Sequence, residues 1–337
     1  MSEPIIMMDQ TTKVANRLES HERMRRVGPI VFLLFLSLLL SSNRSYAQKI
    51  YPPWRDPPAG GVRLNVPDID NVPDLHGEIV NPDLVVFFAG NQFMVVPELL
   101  DAFRAIYPKY QRIFVETLPP EILALQIEKG SLVIGNLKIT LTPDVYTAGE
   151  RGIEDLKMKG WFDETAAYAK NRLAIMVCKG NPKNIHSLED LGRPEIRVSM
   201  QNPQWGGIGR NIVRAYNKVG GRELEERIMV RKVEIGTTFL ADIHHRQTPI
   251  RIMRGESDAG PVWYTEAHFQ KMIGNPIDMV EIPEKDNIVE TYLAGKLKSA
   301  PHREAASDFF QFLKGEKARS IYKNYGFLPV ERARNRE

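Results

Sequence analysis

A glycine-bearing loop and the helix predicted behind it are the first candidate for binding chemistry in this sequence. The loop reads NPQWGGIGR, and the helix is predicted from about Arg210 to Val219. The first N–H groups of a helix have no partner within the helix, and the helix dipole favours negative charge there. The stretch therefore predicts a site for an oxyanion that needs no cationic side chain, although its glycines also suit an ordinary tight turn.

Two adjacent histidines, His244 and His245, are the next candidate. Neighbouring residues on a helix point about 100° apart, a geometry that disfavours joint metal ligation. We expect them to lie at the C-terminus of a helix that begins near Thr238, with the next helix starting at Thr248-Pro249. No metal site and no cofactor are predicted.

The remaining reactive side chains favour structural roles. Cys178 follows an apolar run and reads as a buried strand thiol, and Arg251 and Arg254 are expected on a solvated helix face. The sequence has no nucleophile elbow, no phosphate-binding loop ending in Gly-Lys-Ser/Thr and no Cys or His cluster with metal-ligand spacing. The chain is therefore not predicted to be an enzyme.

Strands and helices alternate along the chain, which predicts the α/β class. The first predicted strand, Leu84 to Ala89, is apolar throughout, as expected for a strand buried on both faces of a parallel sheet. A hairpin with Gly135-Asn136 near its centre is expected between Gly130 and Thr142. Further predicted elements are a helix ending at Pro108, a strand over 111–116, a helix over 121–129, and strands over 144–146, 172–177 and 196–200.

The N-terminal region reads as a secretory signal peptide over 1–47. Arg25 and Arg26 precede a run from Ile30 to Leu40 that is apolar except for one serine, and cleavage is expected near Ala47-Gln48. The run is shorter than the roughly 20 residues that span a bilayer. Translation from Met24 is an open alternative. Residues 48–82, rich in proline and glycine, predict an extended arm laid over the first lobe.

The charge, the cysteine count and the length of the chain further restrict the class of protein. The formal net charge is +3, with basic and acidic residues interspersed, so nucleic acid is not an expected partner. The single cysteine permits no internal disulfide and no lipid-modified cysteine at the cleavage site. About 290 residues would remain after cleavage, enough for two domains in one exported, soluble chain.

From Leu84 to Pro329 the order of segments resembles the molybdate/tungstate-type solute-binding proteins of ABC transporters. The resemblance is carried, in chain order, by LVVFFAGN, ILALQIEKG, PDVYTAG, NRLAIMVCKGNP, NPQWGGIGR, GESDAGPVWYTEA and KNYGFLP. The stretch HHRQTPIRIMRGESDAG is also similar to a branch of accessory colonisation factor-like proteins.

The resemblance implies a type II periplasmic binding protein fold with two α/β lobes. Each lobe would hold a mostly parallel sheet flanked by helices, and two crossing strands would join them. Lobe 1 is expected over 83–170 plus 273–330, and lobe 2 over 171–272. The implied function is capture of a small anionic ligand in the cleft between the lobes by a monomer, with delivery to an ABC permease. A periplasmic scaffold or sensor subunit with no transport role is the alternative.

Carried over position by position, the resemblance also implies a set of ligand contacts. They are Asn91, Gln92, Thr117, Leu118, Thr147, Gly206, Gly207, Ile208, Thr237 and Trp263.

Three departures from the family pattern leave the ligand open. Asn91 stands where molybdate binders place a serine, and Trp263, whose indole only donates, stands at the position of a cleft tyrosine. Pro119-Pro120 replaces a serine-rich turn and removes two N–H donors. Another oxyanion and a small phosphorylated or carboxylated metabolite are therefore alternatives to molybdate.

Overall fold

The structure, a computed structural model, describes residues 62–64, 74–134, 137–204, 207–241 and 247–331. The predicted signal peptide, most of the proline-rich arm, Gly206, and the pair His244 and His245 lie outside the described residues. Within the described ranges, the helices are too short or too polar to cross a membrane.

Thirteen strands are described. In chain order they are β1 (Val62–Leu64), β2 (Leu75–Gly77), β3 (Leu84–Phe87), β4 (Ile113–Glu116), β5 (Leu132–Ile134), β6 (Leu137–Ile139), β7 (Val145–Gly149), β8 (Phe162–Cys178), β9 (Val198–Met200), β10 (Thr238–Leu240), β11 (Ala259–Trp263), β12 (Ile277–Glu281) and β13 (Val289–Leu297).

Nine α-helices lie between and after these strands in the described part of the chain. They are α1 (Val96–Ile106), α2 (Pro120–Lys129), α3 (Glu150–Met158), α4 (Gly207–Glu226), α5 (Lys232–Glu234), α6 (Gln247–Met253), α7 (Tyr264–Met272), α8 (Arg303–Lys314) and α9 (Glu316–Asn324). Short turns of 3₁₀ helix occur at Gly90–Gln92, Glu189–Gly192 and Glu284–Asp286, and a π-helical turn, Arg227–Arg231, joins α4 to α5.

Lobe 1 is built on a sheet with the order β1-β2-β4-β3-β7-β13-β8. The pairs β3 with β4 and β3 with β7 are parallel, and the pairs at both flanks are antiparallel. β3 is buried at every position, as its apolar run predicts. The predicted hairpin is confirmed by the antiparallel pairing of β5 with β6, which form a separate two-stranded sheet.

Lobe 2 is built on the second half of β8. Its sheet has the order β12-β8-β11-β9-β10, with parallel pairs at β11-β9 and β9-β10 and antiparallel pairs on both sides of β8. β8 is therefore the first crossing between the lobes, and it is longer than the predicted strand over 172–177 because β13 pairs along its first half. The chain returns through the segment between β12 and β13.

Each lobe has its own buried apolar core. In lobe 1, β3, β4 and β7 are covered by aromatic side chains of α1 and α8, among them Phe103 and Phe309, whose rings meet edge to face at 5.0 Å. In lobe 2, one cluster joins β8, β9 and β11 to α4, and a smaller one on the opposite sheet face joins β8 to α6, α7 and β12. The fold is thus two lobes of mixed sheet flanked by helices.

The proline-rich arm contributes strands as far as the structure describes it. β2 pairs antiparallel with β4 and β1 pairs with β2, which extends the lobe 1 sheet at its edge. Gly77 ends β2 with φ +104°, and a Cβ there would lie 2.0 Å from the carbonyl oxygen of Ile113. Only glycine permits this close approach of the arm to the sheet.

The structure differs from the expected elements at two places in lobe 2. Thr238–Leu240 is strand β10, not the start of a helix, because its backbone pairs in parallel with β9. Arg251 is not solvated as expected: its guanidinium donates to the carbonyl oxygens of Phe239 at 3.1 Å and Leu240 at 3.2 Å. Arg254 remains exposed, and Cys178 is half-buried.

The division between the lobes also falls later than the expected boundary at 272/273. β12 pairs with Ala174–Cys178 of β8, and Val280 and Ile282 pack against the lobe 2 core. Lobe 2 therefore continues through Ile282.

Candidate ligand-binding site

A cavity of about 610 Å³ lies between the two lobes. It opens where β3, β4 and β7 of lobe 1 and β9, β10 and β11 of lobe 2 end, and residues directly after or at these strand ends line it. Loops beyond the carboxyl ends of parallel strands are the usual ligand sites of open α/β sheets. A cavity of this volume has room for a small organic molecule.

A buried tyrosine of β13, Tyr292, lines this cavity. Tyr292 is 2% exposed, and its oxygen accepts a hydrogen bond from Nδ2 of Asn91 at 2.6 Å. Burial raises the pKa of Tyr292 well above its ordinary value, so the O–H stays protonated. The protonated hydroxyl is a hydrogen-bond donor at the cavity wall. The ring of Trp263 packs edge to face on Tyr292 with centroids 6.2 Å apart.

The N-terminus of α4 forms the lobe 2 wall. Gly207 and Ile208 line the cavity, and the first turn of the helix carries no acidic residue. A Cβ at Gly209 would lie 2.7 Å from backbone atoms of Pro203, so glycine lets the first turn pack on the loop before it. Free N–H groups at such an end attract an anion.

The lobe 1 wall includes α3, whose N-terminus is occupied by a side chain. Oε1 of Glu290 accepts a hydrogen bond from the backbone N–H of Glu150 at 3.1 Å. Its Oε2 accepts from Nδ2 of Asn211, on α4, at 2.7 Å. Glu290 therefore links the two lobes at the cavity wall.

Charged side chains of both signs line the cavity in equal numbers. Among the described residues they are Arg151, Lys159, Arg210, Arg214, Glu121, Glu128, Asp155 and Glu290.

Four of these eight charges form two ion pairs. Arg210 pairs with Glu121 at 3.1 Å, from lobe 2 to lobe 1, and Lys159 pairs with Glu128. Among the residues that the structure describes, Arg151 has no ion pair, and Arg214 donates to Oδ1 of Asn211 at 3.0 Å. The cavity lining thus offers two arginines outside ion pairs with described residues, Arg151 and Arg214, together with hydrogen-bond acceptors.

The turn before α2 behaves as its prolines predict. The carbonyl of Pro119 accepts from the N–H groups of Ile122 and Leu123, and Pro119 and Pro120 present ring surface to the cavity without N–H donors. The N-terminus of α2 is therefore a weaker anion site than that of α4.

Behind this turn lies a buried carboxyl group. Glu116 is fully buried, its Oε1 accepts from Nε2 of Gln126 at 2.9 Å, and burial raises its pKa to about 8. It does not line the cavity.

The structure brings together four of the ten predicted ligand contacts. Those that line the cavity are Asn91, Gly207, Ile208 and Trp263. Ligand contact by these four stays a prediction.

Four other predicted contacts lie beneath the cavity surface. Gln92 accepts from the hydroxyls of Tyr168 at 2.8 Å and Tyr322 at 2.7 Å, and donates to Thr147 at 3.4 Å. This network supports the Asn91 turn. Thr117 and Leu118 are fully buried.

The last two predicted contacts are Thr237 and Gly206. Thr237 precedes β10, at the opposite end of that strand from Ala241, which lines the cavity. Gly206 is outside the described residues.

Sequence reasoning missed Tyr292, Glu290, Arg214 and Arg151. Side chains alternate between the two faces of a strand, so VETYLAGKL, read as a strand, has Glu290 and Tyr292 on one face. The sequence pattern does not indicate that this face lines a cavity. The two arginines lie on helix faces without a motif.

Comparison with known proteins gives the family. Residues 84–328 match the family of bacterial extracellular solute-binding proteins. The chain is 26% identical over 157 residues to the putative ABC transporter substrate-binding lipoprotein YvgL of Bacillus subtilis, and this match covers 47% of the chain and only 55% of that protein. It is 24% identical over 248 residues to the molybdate-binding protein ModA of Mycobacterium bovis, which covers 72% of the chain and 84% of ModA.

Among solved structures, the chain is similar to the sulfate-binding protein SubI of Mycobacterium tuberculosis. The TM-score is 0.60 at 21% identity, and the match covers 73% of this chain and 86% of that one. The likeness confirms the type II periplasmic binding fold expected from the sequence. The chain is a binding protein and not an enzyme, and it belongs to the family of bacterial extracellular solute-binding proteins.

Proposed function

We propose that this protein captures a small anionic ligand in the cavity between its lobes and delivers it to an ABC permease. The observation that carries the proposal is the convergence of donors from both lobes on one cavity. Tyr292 lines it from lobe 1, and the N-terminus of α4, with Arg214, lines it from lobe 2. Donors on both sides favour the closed arrangement of the lobes when an anion lies between them.

The relatives support the ligand class and the partner. ModA is named for molybdate, SubI for sulfate, and YvgL as a transporter's substrate-binding lipoprotein. The permease and the anion are carried to this chain by analogy with them.

The family is extracytoplasmic, and the proposed route is export by cleavage near Ala47-Gln48. N-terminal sequencing of the protein recovered from the periplasm should begin at or close to Gln48. Recovery of the uncleaved chain from the cytoplasm would contradict export.

Ligand capture predicts stabilisation by anions that depends on Tyr292. An anion at a hundredfold excess over its Kd should stabilise the purified protein by about 2.7 kcal/mol, seen as a rise in Tm. Tyr292→Phe should weaken binding about tenfold or more, because it removes one hydrogen bond to a charged ligand. The measurement is thermal unfolding with calorimetric titration of molybdate, sulfate, phosphate, malate and glycerol phosphate.

Tyr216→Phe is the matched control for this experiment. Tyr216 is also fully buried, but it lies in the lobe 2 core, where its hydroxyl contacts Sδ of Met200 at 3.7 Å. Its substitution should leave binding unchanged. A panel in which every anion leaves Tm unmoved would overturn the proposal and favour the scaffold or sensor role.

A further inference from the structure

Glu290 places a carboxylate on the wall of the cavity, at the contact between the lobes. It is half-buried and lies beside Gly149, where a Cβ would be only 2.7 Å from Oε1. Each of its oxygens accepts one hydrogen bond, from Glu150 N–H and from Asn211. A carboxylate has about four lone-pair sites, so acceptor capacity remains on the cavity side.

This carboxylate changes what the N-terminus of α3 can do. The end of a helix attracts negative charge, but here the protein supplies that charge itself. A second anionic oxygen brought against Glu290 would meet like-charge repulsion in a partly desolvated site. A ligand group that donates a hydrogen bond would instead find an acceptor there.

Donor and acceptor stand side by side on one strand. Glu290 and Tyr292 are two residues apart on β13, on the same face, and both line the cavity. A ligand that satisfies both must carry an acceptor for the Tyr292 hydroxyl and a donor for the Glu290 carboxylate. A fully deprotonated tetrahedral oxyanion carries acceptors only.

We propose, on the basis of the function proposed above, that the ligand is an organic anion that carries a hydrogen-bond donor, and that Glu290 selects it by accepting from that donor. The cavity volume of about 610 Å³ and the balanced charges of its lining fit such a molecule better than molybdate or sulfate. The donor is a hydroxyl or an ammonium group. Glu290 is thus a specificity-determining residue that disfavours fully deprotonated tetrahedral oxyanions.

The first test uses the unchanged protein and ligands that differ only in the donor. Calorimetric titration compares succinate, malate and aspartate, which carry no donor, a hydroxyl and an ammonium, and compares propyl phosphate with glycerol phosphate. At least one donor-bearing member should bind tenfold or more tightly than its partner without the donor. Malate and aspartate distinguish the two kinds of donor. Equal affinity within both sets would overturn the proposal.

The second test is Glu290→Gln, which keeps an oxygen for the Glu150 N–H but removes the charge and adds a donor. Preference for the donor-bearing anions should fall to within threefold, and affinity for sulfate and molybdate should rise tenfold or more. The control is Glu164→Gln, an exposed lobe 1 carboxylate that pairs with Lys314 at 3.2 Å and does not line the cavity, which should change neither. The unliganded Tm of each variant verifies folding, and the first test needs no variant.

The experiments distinguish a failure of selection by Glu290 from a failure of anion capture. If anions bind the protein and Tyr292→Phe weakens them, but Glu290→Gln leaves the preference intact, selection by Glu290 is wrong and anion capture stands. If none of the anions binds, both are wrong.

Discussion

Glu116 ends β4 with its carboxyl group inside lobe 1, where no solvent reaches it. Burial raises its pKa to about 8, so the folded state holds a proton there that the unfolded chain releases near pH 4.5. The protein therefore loses stability as pH rises from about 4.5 to 8, by about 1.4 kcal/mol per pH unit from this group alone.

Glu116→Gln should remove that loss, because an amide cannot ionise. We expect the variant to be more stable than the unchanged protein by on the order of 3 kcal/mol at pH 7, with the difference vanishing near pH 4.5. Urea unfolding from pH 4.5 to 8.5 measures it. The exposed Glu304→Gln should change stability by less than about 1 kcal/mol at every pH. If the free energy of unfolding changed with pH in the same way for Glu116→Gln and for the unchanged protein, the raised pKa of Glu116 would be refuted.

At the residue scale, part of the cavity lining could be predicted from the sequence, and the rest could not because it depends on strand pairing over long distances. Asn91 lies in the short turn after β3, and Trp263 ends β11; a local pattern can identify such positions at strand ends. Tyr292 and Glu290 reach the cavity only because β13 lies between β7 and β8, a pairing across more than 100 residues. No local pattern carries that information.

The second crossing between the lobes is held by one amide. Asn287 accepts from the N–H groups of Leu173 at 2.9 Å and Ile288 at 2.7 Å, and donates to the carbonyls of Leu173 at 2.9 Å and Ile282 at 3.2 Å. The side chain is buried and takes the place of a strand ladder between this segment and β8.

Asn287→Ala should cost about 2–4 kcal/mol, because both backbone groups of Leu173 lose their partner inside the protein. Asn287→Asp keeps the acceptor and loses the donors, and we expect it to be destabilised as well, since its charge is buried. Urea unfolding measures both. A loss below 0.5 kcal/mol for Asn287→Ala would mean that the crossing is held by other contacts.

At the element scale, segments with a continuous apolar run or with a helical period bounded by proline were predicted well. The strands β3 and β4 and the helices α1 and α2 lie where apolar period and proline place them. The run TTFLA is too short for its period to distinguish strand from helix, and pairing with β9 decided it. Arg251 was misread because the carbonyls it binds belong to that strand.

At the scale of the whole molecule, the α/β class could be predicted from the alternation of strands and helices. The two-lobed arrangement could be predicted from the order of the segments that resemble the family. The boundary between lobes could not, since β12 looks locally like any other short strand. Only its pairing with the second half of β8 assigns it to lobe 2. The edge strands β1 and β2 were likewise hidden in a proline-rich stretch without period.

The interior position of β13 in the lobe 1 sheet has a consequence for the order in which the chain can fold. The central strands of lobe 2, β9 to β11, come from one continuous stretch, whereas lobe 1 needs β7 and a strand that begins 140 residues after β7 ends. A chain emerging from its N-terminus leaves the facing edges of β7 and β8 unpaired until Leu297 is available. Unpaired edges invite pairing with other chains, and distant contacts form slowly. We therefore expect assembly of lobe 1 to be the late and aggregation-prone step of folding.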